Sequence, residues 1–137
     1  MSTVTPLDEE YVSEGSVIIS QTDLNGVIIY VNKMFCEISG YKAEELVGRT
    51  HNVIRHPDMP RAAFAKMWET IRSGQSWNGL LKNLRKDGRY YWVDTEILPT
   101  RDDDGNITGY IAARRPAGKK NISEIEESYK KMLEAEQ

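Results

Sequence analysis

The last third of the chain constrains the fold most. "WNGLLKNLR", "RYYWVDTEILPT" and "ITGYIAARR" are strand-like segments joined only by "KDG" and "DDDGN". Both joints have turn chemistry, with glycine free to take positive φ and aspartate able to bond back to nearby amides. An antiparallel three-strand meander follows. Upstream, "SVIISQTDLNGVIIYVN" sets two apolar, β-branched runs around "DLNG", an Asn-Gly hairpin signal.

Helical patterns fill the space between these two sheet regions. Asn32 follows the second strand and can cap "KMFCEIS", which Gly40 closes. "KAEELVG" reads as one or two further turns. "PRAAFAKMWETIRSG" is the longest interior helix, started by Pro60 and stopped by Gly74, with Phe64, Met67, Trp68 and Ile71 as its apolar stripe. Two strands, short helices and a three-strand meander predict an α+β fold, with helices packed on one face of an antiparallel sheet. At the start, Thr5 and Pro6 suggest a short cap helix ending at Gly15. At the end, Ser123 and Glu126 have capping-box spacing, and Ile122, Ile125, Tyr129 and Met132 step at an a/d pattern. Residues 1–14 are thus expected as an N-terminal helix, 15–116 as the central domain and 117–137 as an output or linker helix.

Composition excludes several classes. The 137 residues suit one domain and carry a net charge of −3, which gives no broad basic field for nucleic acid. The single cysteine, Cys36, excludes an internal disulfide framework and multi-cysteine metal sites. No apolar run reaches the roughly 18 residues of a membrane span, and the polar, acidic start does not read as a signal peptide. A cytoplasmic chain is expected, or the cytoplasmic sensor part of a membrane-anchored receptor.

The chemistry-bearing residues concentrate in "HNVIRHPDMP", which holds both histidines of the chain, His51 and His56, with Asn52, Arg55 and Asp58. Two imidazoles and a carboxylate could bind a metal in principle. Pro57 breaks the helical repeat that would bring the rings to one face, so no metal is expected. No nucleophile elbow, P-loop or zinc-protease motif occurs, and no spacing marks a catalytic triad. The chain does not read as an enzyme. In "WNGLLKNLR", strand alternation puts Trp77, Gly79, Leu81 and Asn83 on one face. An amide there can either aim donor and acceptor at a heterocycle edge or lie in water on an edge strand. Gly79 leaves room for a close approach. Trp68 and Trp92 read as core, and Cys36 as a small buried apolar residue.

The order "DLNGVIIYVNKMFCEISGYKAEELVGR" and "NLRKDGRYYWV" resembles the PAS sensor family. "HNVIRHPDMPRAAFAKMWETI" followed by "WNGLLKNLRKDG" is similar to its FAD-binding aerotaxis, or energy-taxis, type. The likeness runs from about Gly15 to Arg115. It implies a five-stranded antiparallel sheet whose helices enclose a pocket holding FAD non-covalently. It also implies a redox or oxygen sensor whose flanking helices signal to a chemotaxis-type module; a homodimer is left open. By position, Asn83 would bond the pyrimidine edge of the flavin ring and Trp68 would line the ring site. Arg55, His56, Asn52 and Asp58 would lie along the ribityl-pyrophosphate arm. Asn32 and Trp77 would belong to the pocket wall. Light-sensing relatives carry a reactive cysteine where this chain has His51, so no cysteinyl photoadduct is expected. Their signal-relaying glutamine corresponds to Arg114, whose charge could favour negative charge on a reduced ring. A haem gas sensor using His51 or His56, a cofactor-free interaction module and a flavoenzyme remain as alternatives.

Overall fold

The computed structural model describes residues 4–12 and 17–136. One antiparallel sheet organises it, built from β1 (Ile18–Asp23), β2 (Ile28–Val31), β3 (Trp77–Leu84), β4 (Tyr90–Arg101) and β5 (Ile107–Pro116). The spatial order is β2-β1-β5-β4-β3. The expected meander supplies β3, β4 and β5, and the "DLNG" hairpin adds β1 and β2 on the far side of β5. The hairpin turn is fixed by Asp23, whose carboxylate accepts from the amides of Asn25 and Val27, and by Gly26 at φ 82°.

Helices α1 (Lys33–Ser39), α2 (Ala43–Leu46) and α3 (Arg61–Arg72) follow, with a single 3-10 turn, His51–Ile54, ahead of α3. Asn32 caps α1 by accepting from Phe35 N, and Gly40 closes it at φ 80°. Phe35 and Ile38 of α1, Leu46 of α2 and Ile54 of the 3-10 turn join Ile18, Ile28 and Val93 in the core. Burying each side chain of this size is worth about 1.5–3 kcal/mol. On α3, Met67 and Ile71 pack against Ile97, Tyr110 and Ala112 of the sheet.

The N-terminal helix expected over Thr5–Val12 is absent from the structure: these residues are not helical. β5 ends at Pro116, opposite Val93, which leaves the start of β4 without a neighbour on that side. The N-terminal segment takes the place. Leu7 N donates to Gly88 O, Tyr11 N to Tyr90 O and Tyr90 N to Glu9 O. The guanidinium groups of Arg85 and Arg89 then lie 3.8 Å and 5.0 Å from the Tyr11 ring centre. Pairing with a bare strand outweighed a weak local helix signal. The helix end expected at Gly15 lies outside the described residues.

The last helix, α4 (Lys119–Ala135), begins four residues before the expected Ser123 cap. It packs on the opposite face of the sheet from α1 and α3. The Tyr129 ring stacks on Trp92 at 6.4 Å, and its hydroxyl donates to Leu80 O. Ile122 and Ile125 also pack into the core. Three of the four a/d residues are therefore spent on the chain's own sheet, while Met132 is exposed.

Candidate functional site

Between the inner sheet face and α3 lies a cavity of about 340 Å³. Strand alternation supplies its floor: Ser20 and Thr22 from β1, Leu81 and Asn83 from β3, Ile97 from β4, and Tyr110, Ala112 and Arg114 from β5. The α3 stripe, Phe64, Met67, Trp68 and Ile71, forms its roof. The 3-10 turn and the β1–β2 turn close the sides with His51, Asn52 and Asn25. Trp68 spans this gap. Its ring meets Tyr110 edge-on at 5.7 Å, and a Cβ on Gly26 would fall 2.8 Å from it.

Arg114 is the dominant charge. It is only 4% exposed. Its Nη1 donates to Ser20 Oγ at 3.0 Å and its Nη2 contacts His51 Nε2 at 3.0 Å. Arginine can only donate, so His51 Nε2 accepts and the ring proton sits on Nδ1. The Ser20 hydroxyl stands 3.1 Å from the same nitrogen. Burial, and then the Arg114 charge, push His51 down to about 3, so the imidazole is neutral at ordinary pH. Burial draws Arg114 down to about 10, which leaves it cationic at neutral pH. Among the described residues it has no carboxylate partner, and its Nε makes no hydrogen bond. The guanidinium is thus held by neutral acceptors that position its charge without cancelling it.

Asn83 gives the second signal. It pairs with Tyr91 across the β3–β4 ladder, lines the cavity and is 5% exposed. Its Nδ2 makes no hydrogen bond of ordinary geometry, although the Tyr91 hydroxyl is close enough to feel it. An unpaired buried donor costs about 1–3 kcal/mol, so Asn83 Nδ2 and Arg114 Nε are groups prepared for an acceptor. Arg55 bridges to Asn83 through the backbone. Its Nη2 donates to Met59 O, its guanidinium lies 5.1 Å from the Phe64 ring centre, and its Nε is unpaired. Arg61 and Arg72 complete a set of four arginines on the cavity wall, with no carboxylate among its lining residues. The site fits a flat, apolar-faced ligand that carries acceptor atoms and negative charge.

The PAS fold model matches residues 28–114, more than half of the chain. The chain belongs to the PAS family. Its PAS unit is similar to the aerotaxis receptor of Escherichia coli, 42% identical over 92% of this chain and 24% of that protein. It is also similar to the nitrogen fixation regulatory protein of Klebsiella oxytoca, 36% identical over 76% of this chain and 21% of that protein. The chain therefore spans about a quarter or less of these relatives. Among solved structures, a PAS domain from Colwellia psychrerythraea aligns with TM-score 0.68 at 25% identity, covering 74% of this chain and 86% of that one. The light state of the Aureochrome1 LOV photoreceptor aligns with TM-score 0.66 at 25% identity, covering 88% and 89%.

Of the residues singled out from sequence, the PAS cavity gathers Asn83, Trp68, Arg55, Asn52, His51 and Arg114. Four others lie elsewhere. Asn32 spends its side chain on the backbone, accepting from Ile19 N and Phe35 N and donating to Val17 O. Trp77 folds back over Gly79, whose Cβ would sit 2.6 Å from the indole; the glycine makes room for that ring, not for a ligand. His56 points away from the cavity: its Nδ1 accepts from Asp58 N and its ring meets Tyr90 edge-on at 6.3 Å. Burial and then the Lys82 charge lower His56, with Asp58 opposing. Asp58 binds Lys82 Nζ at 2.9 Å. Burial pulls that carboxylate up, but Lys82 outweighs it and holds it below its usual range. Cys36 sits in α1, off the cavity wall.

Sequence reasoning missed Ser20, Arg61, Arg72 and Tyr110 as wall residues. A signal existed for Ser20: Ile18, Ser20 and Thr22 alternate on the buried face of β1, and a polar residue on a core face asks for a partner. Arg72, four residues after Trp68, lies over that ring at 4.9 Å, an i,i+4 pair readable in sequence.

Proposed function

We propose that this PAS module binds FAD non-covalently, senses redox or oxygen status through it, and passes that state to a chemotaxis-type signalling output. The observation that carries the reading is the pair of orphaned donors, Asn83 Nδ2 and Arg114 Nε, in a cavity with four arginines and no carboxylate on its described wall. The similarity to an aerotaxis receptor supports the redox role. Bound flavin would supply a reversible redox centre whose reduced forms gain negative charge or a ring proton. Asn83 would orient the ring edge, and Arg114 would favour the reduced, more anionic form. Ser20 and His51 position Arg114, while Trp68 and Phe64 exclude water. Residues 15–116 are the sensor, preceded by the 1–14 segment, and 117–137 the output element acting on a signalling domain or receptor partner. The proposed setting is the cytoplasm, either for a free chain or for the cytoplasmic sensor part of a membrane-anchored receptor.

The proposed role is signalling without turnover, in line with the receptor and the regulatory protein that the chain is similar to. His51 is a poor axial ligand for haem, since Arg114 and Ser20 already claim its Nε2. An absorption spectrum of the purified chain, with and without dithionite, tests the proposal. Two flavin bands that bleach on reduction are expected. A Soret band, or a colourless protein with nothing extractable, refutes it. Arg55→Ala or Asn83→Ala should lower FAD retention with the fold intact.

A further inference from the structure

The backbone of Asn83 is held on both sides. It pairs with Tyr91 across the β3–β4 ladder and with Arg55 through a single bridge. Its side chain lines the cavity. A carboxamide is asymmetric: the oxygen only accepts and the nitrogen only donates. What a ligand reads at this wall therefore depends on which way the amide is turned, and the backbone does not decide that.

Tyr91 does. It stands directly opposite Asn83 in register, on the buried face of β4 that also carries Val93, Thr95 and Ile97, and it is 3% exposed. Directly opposed side chains on one sheet face come within about 5 Å at Cβ. Asn83 Nδ2 has its surface covered, and the phenol oxygen feels its N–H. Burial pushes the Tyr91 phenol up to about 12, so it keeps its proton, while Arg114, the Asn83 amide and Arg85 pull the other way. Both cations are held by other groups. Arg114 donates to Ser20 and His51, and Arg85 donates to Glu37 O and Ile38 O and pairs with Asp87. Fixed positive charge on that side draws the lone pairs of the phenol toward it and turns the hydroxyl hydrogen away. Such an oxygen accepts. Only the Nδ2 end of Asn83 matches it, because Oδ1 in that place would set two acceptors against each other in a buried site.

We propose that Tyr91 is a positioning residue that locks the Asn83 amide, with one Nδ2 hydrogen on the Tyr91 hydroxyl, and so sets the donor–acceptor order that the cavity wall presents. Oδ1 and the second Nδ2 hydrogen are left for the ligand. The matching edge is an imide or lactam, a ring N–H beside a carbonyl. A ring alkylated at that nitrogen gains nothing from the lock. The inference rests on the flavin reading and adds to it the residue that makes this wall selective.

The test titrates the 137-residue chain and its Tyr91→Phe variant with FAD and with 3-methyl-FAD, in which a methyl group replaces the imide hydrogen. Phenylalanine keeps the ring and removes the hydroxyl. FAD should bind about fivefold more weakly to the variant, the worth of one neutral hydrogen bond, while 3-methyl-FAD binds both proteins alike. The ratio between the two ligands shrinks accordingly, whereas a merely structural role would move both together. A second readout needs no flavin. In the flavin-free chain the Asn83 Nδ2 protons should show Overhauser contacts to the Tyr91 ring, and they should exchange with water faster in Tyr91→Phe. If FAD binds and the ratio is the same in both proteins, the lock is refuted while the flavin reading stands. If neither protein binds either flavin, the flavin reading falls and the amide protons decide the lock: equal exchange in the two proteins overturns it, and faster exchange in the variant upholds it.

Discussion

Replacing Arg114 by methionine separates a guanidinium kept for a ligand from one kept for the fold. The cation is 4% exposed and rests on a serine and a neutral imidazole. Burial draws its pKa down to about 10, a depression equivalent to about 3 kcal/mol against holding the charge in the folded state. The folded pKa lies below the unfolded one. The cost is therefore present in full below about pH 10, and it fades above that as the folded protein gives up its proton first. Methionine removes the charge and fills similar space, but forfeits two hydrogen bonds to neutral acceptors, about 1 kcal/mol each. The balance makes ligand-free Arg114→Met more stable by about 1 kcal/mol, in line with other buried charges replaced by apolar groups. Urea unfolding of the flavin-free chain at pH 7, with an unchanged slope, measures it. The flavin-loaded variant should show a more negative midpoint potential, because a cation that favours added electrons is gone. A variant that loses more than about 1 kcal/mol of stability while the potential stays put refutes the reasoning. Arg114 would then be a strut.

Three further outcomes follow from the geometry. Gly26→Ala must place a Cβ 2.8 Å from the Trp68 ring at φ +82°, whereas Gly105→Ala, at φ +84°, meets nothing within 4 Å. Thermal melts should show the second losing only the backbone cost of about 1 kcal/mol, and the first losing more, with weaker flavin retention. His51, held at about 3 against an ordinary 6.5, takes up a proton far more readily when unfolded. Ligand-free stability should fall as pH drops through that interval, by up to about 1.4 kcal/mol per unit from this group, and His51→Asn should flatten the dependence in matched urea titrations. Tyr129→Ala removes the stack on Trp92 and the bond to Leu80 O. Hydrogen exchange should then quicken across α4 while β3 and β4 keep their protection.

Much of this was written locally in the chain. The turns at "DLNG", "KDG" and "DDDGN", the Asn32 cap and the Pro60-to-Gly74 helix are short-range signals, and each is where the sequence puts it. Alternation along β3 correctly placed Asn83 and Leu81 on one face. What failed was non-local. Residues 5–12 carry helix-start signals, but a vacancy beside β4 that only the finished sheet creates draws them into pairing. Asn32 had enough backbone partners nearby to be consumed as a cap. Trp77 and Gly79 satisfy each other. For the N-terminal segment, and for the bonds of Asn32 to Ile19 and Val17, the partner appears only once the strands are in register, whereas Trp77 and Gly79 are i,i+2 neighbours on one strand face.

The polar stretch from His51 to Pro60 shows why a motif can be right as a whole and wrong by residue. It runs along the edge of β3, where Arg55 bridges Asn83 and the Lys82 amide lies 3.5 Å from Met59 Sδ. A segment lying on a strand edge presents alternate residues to opposite sides. Arg55 accordingly faces the cavity, beside His51 and Asn52 from the 3-10 turn, while His56 and Asp58 turn to Lys82 and the groove beneath α4, which Asp58 lines together with Tyr129 and Lys130. Pro60 then hands the chain to α3, whose first amides hold Glu136. One ten-residue segment thus touches the cavity wall, the outer sheet face and the seat of the C-terminal helix.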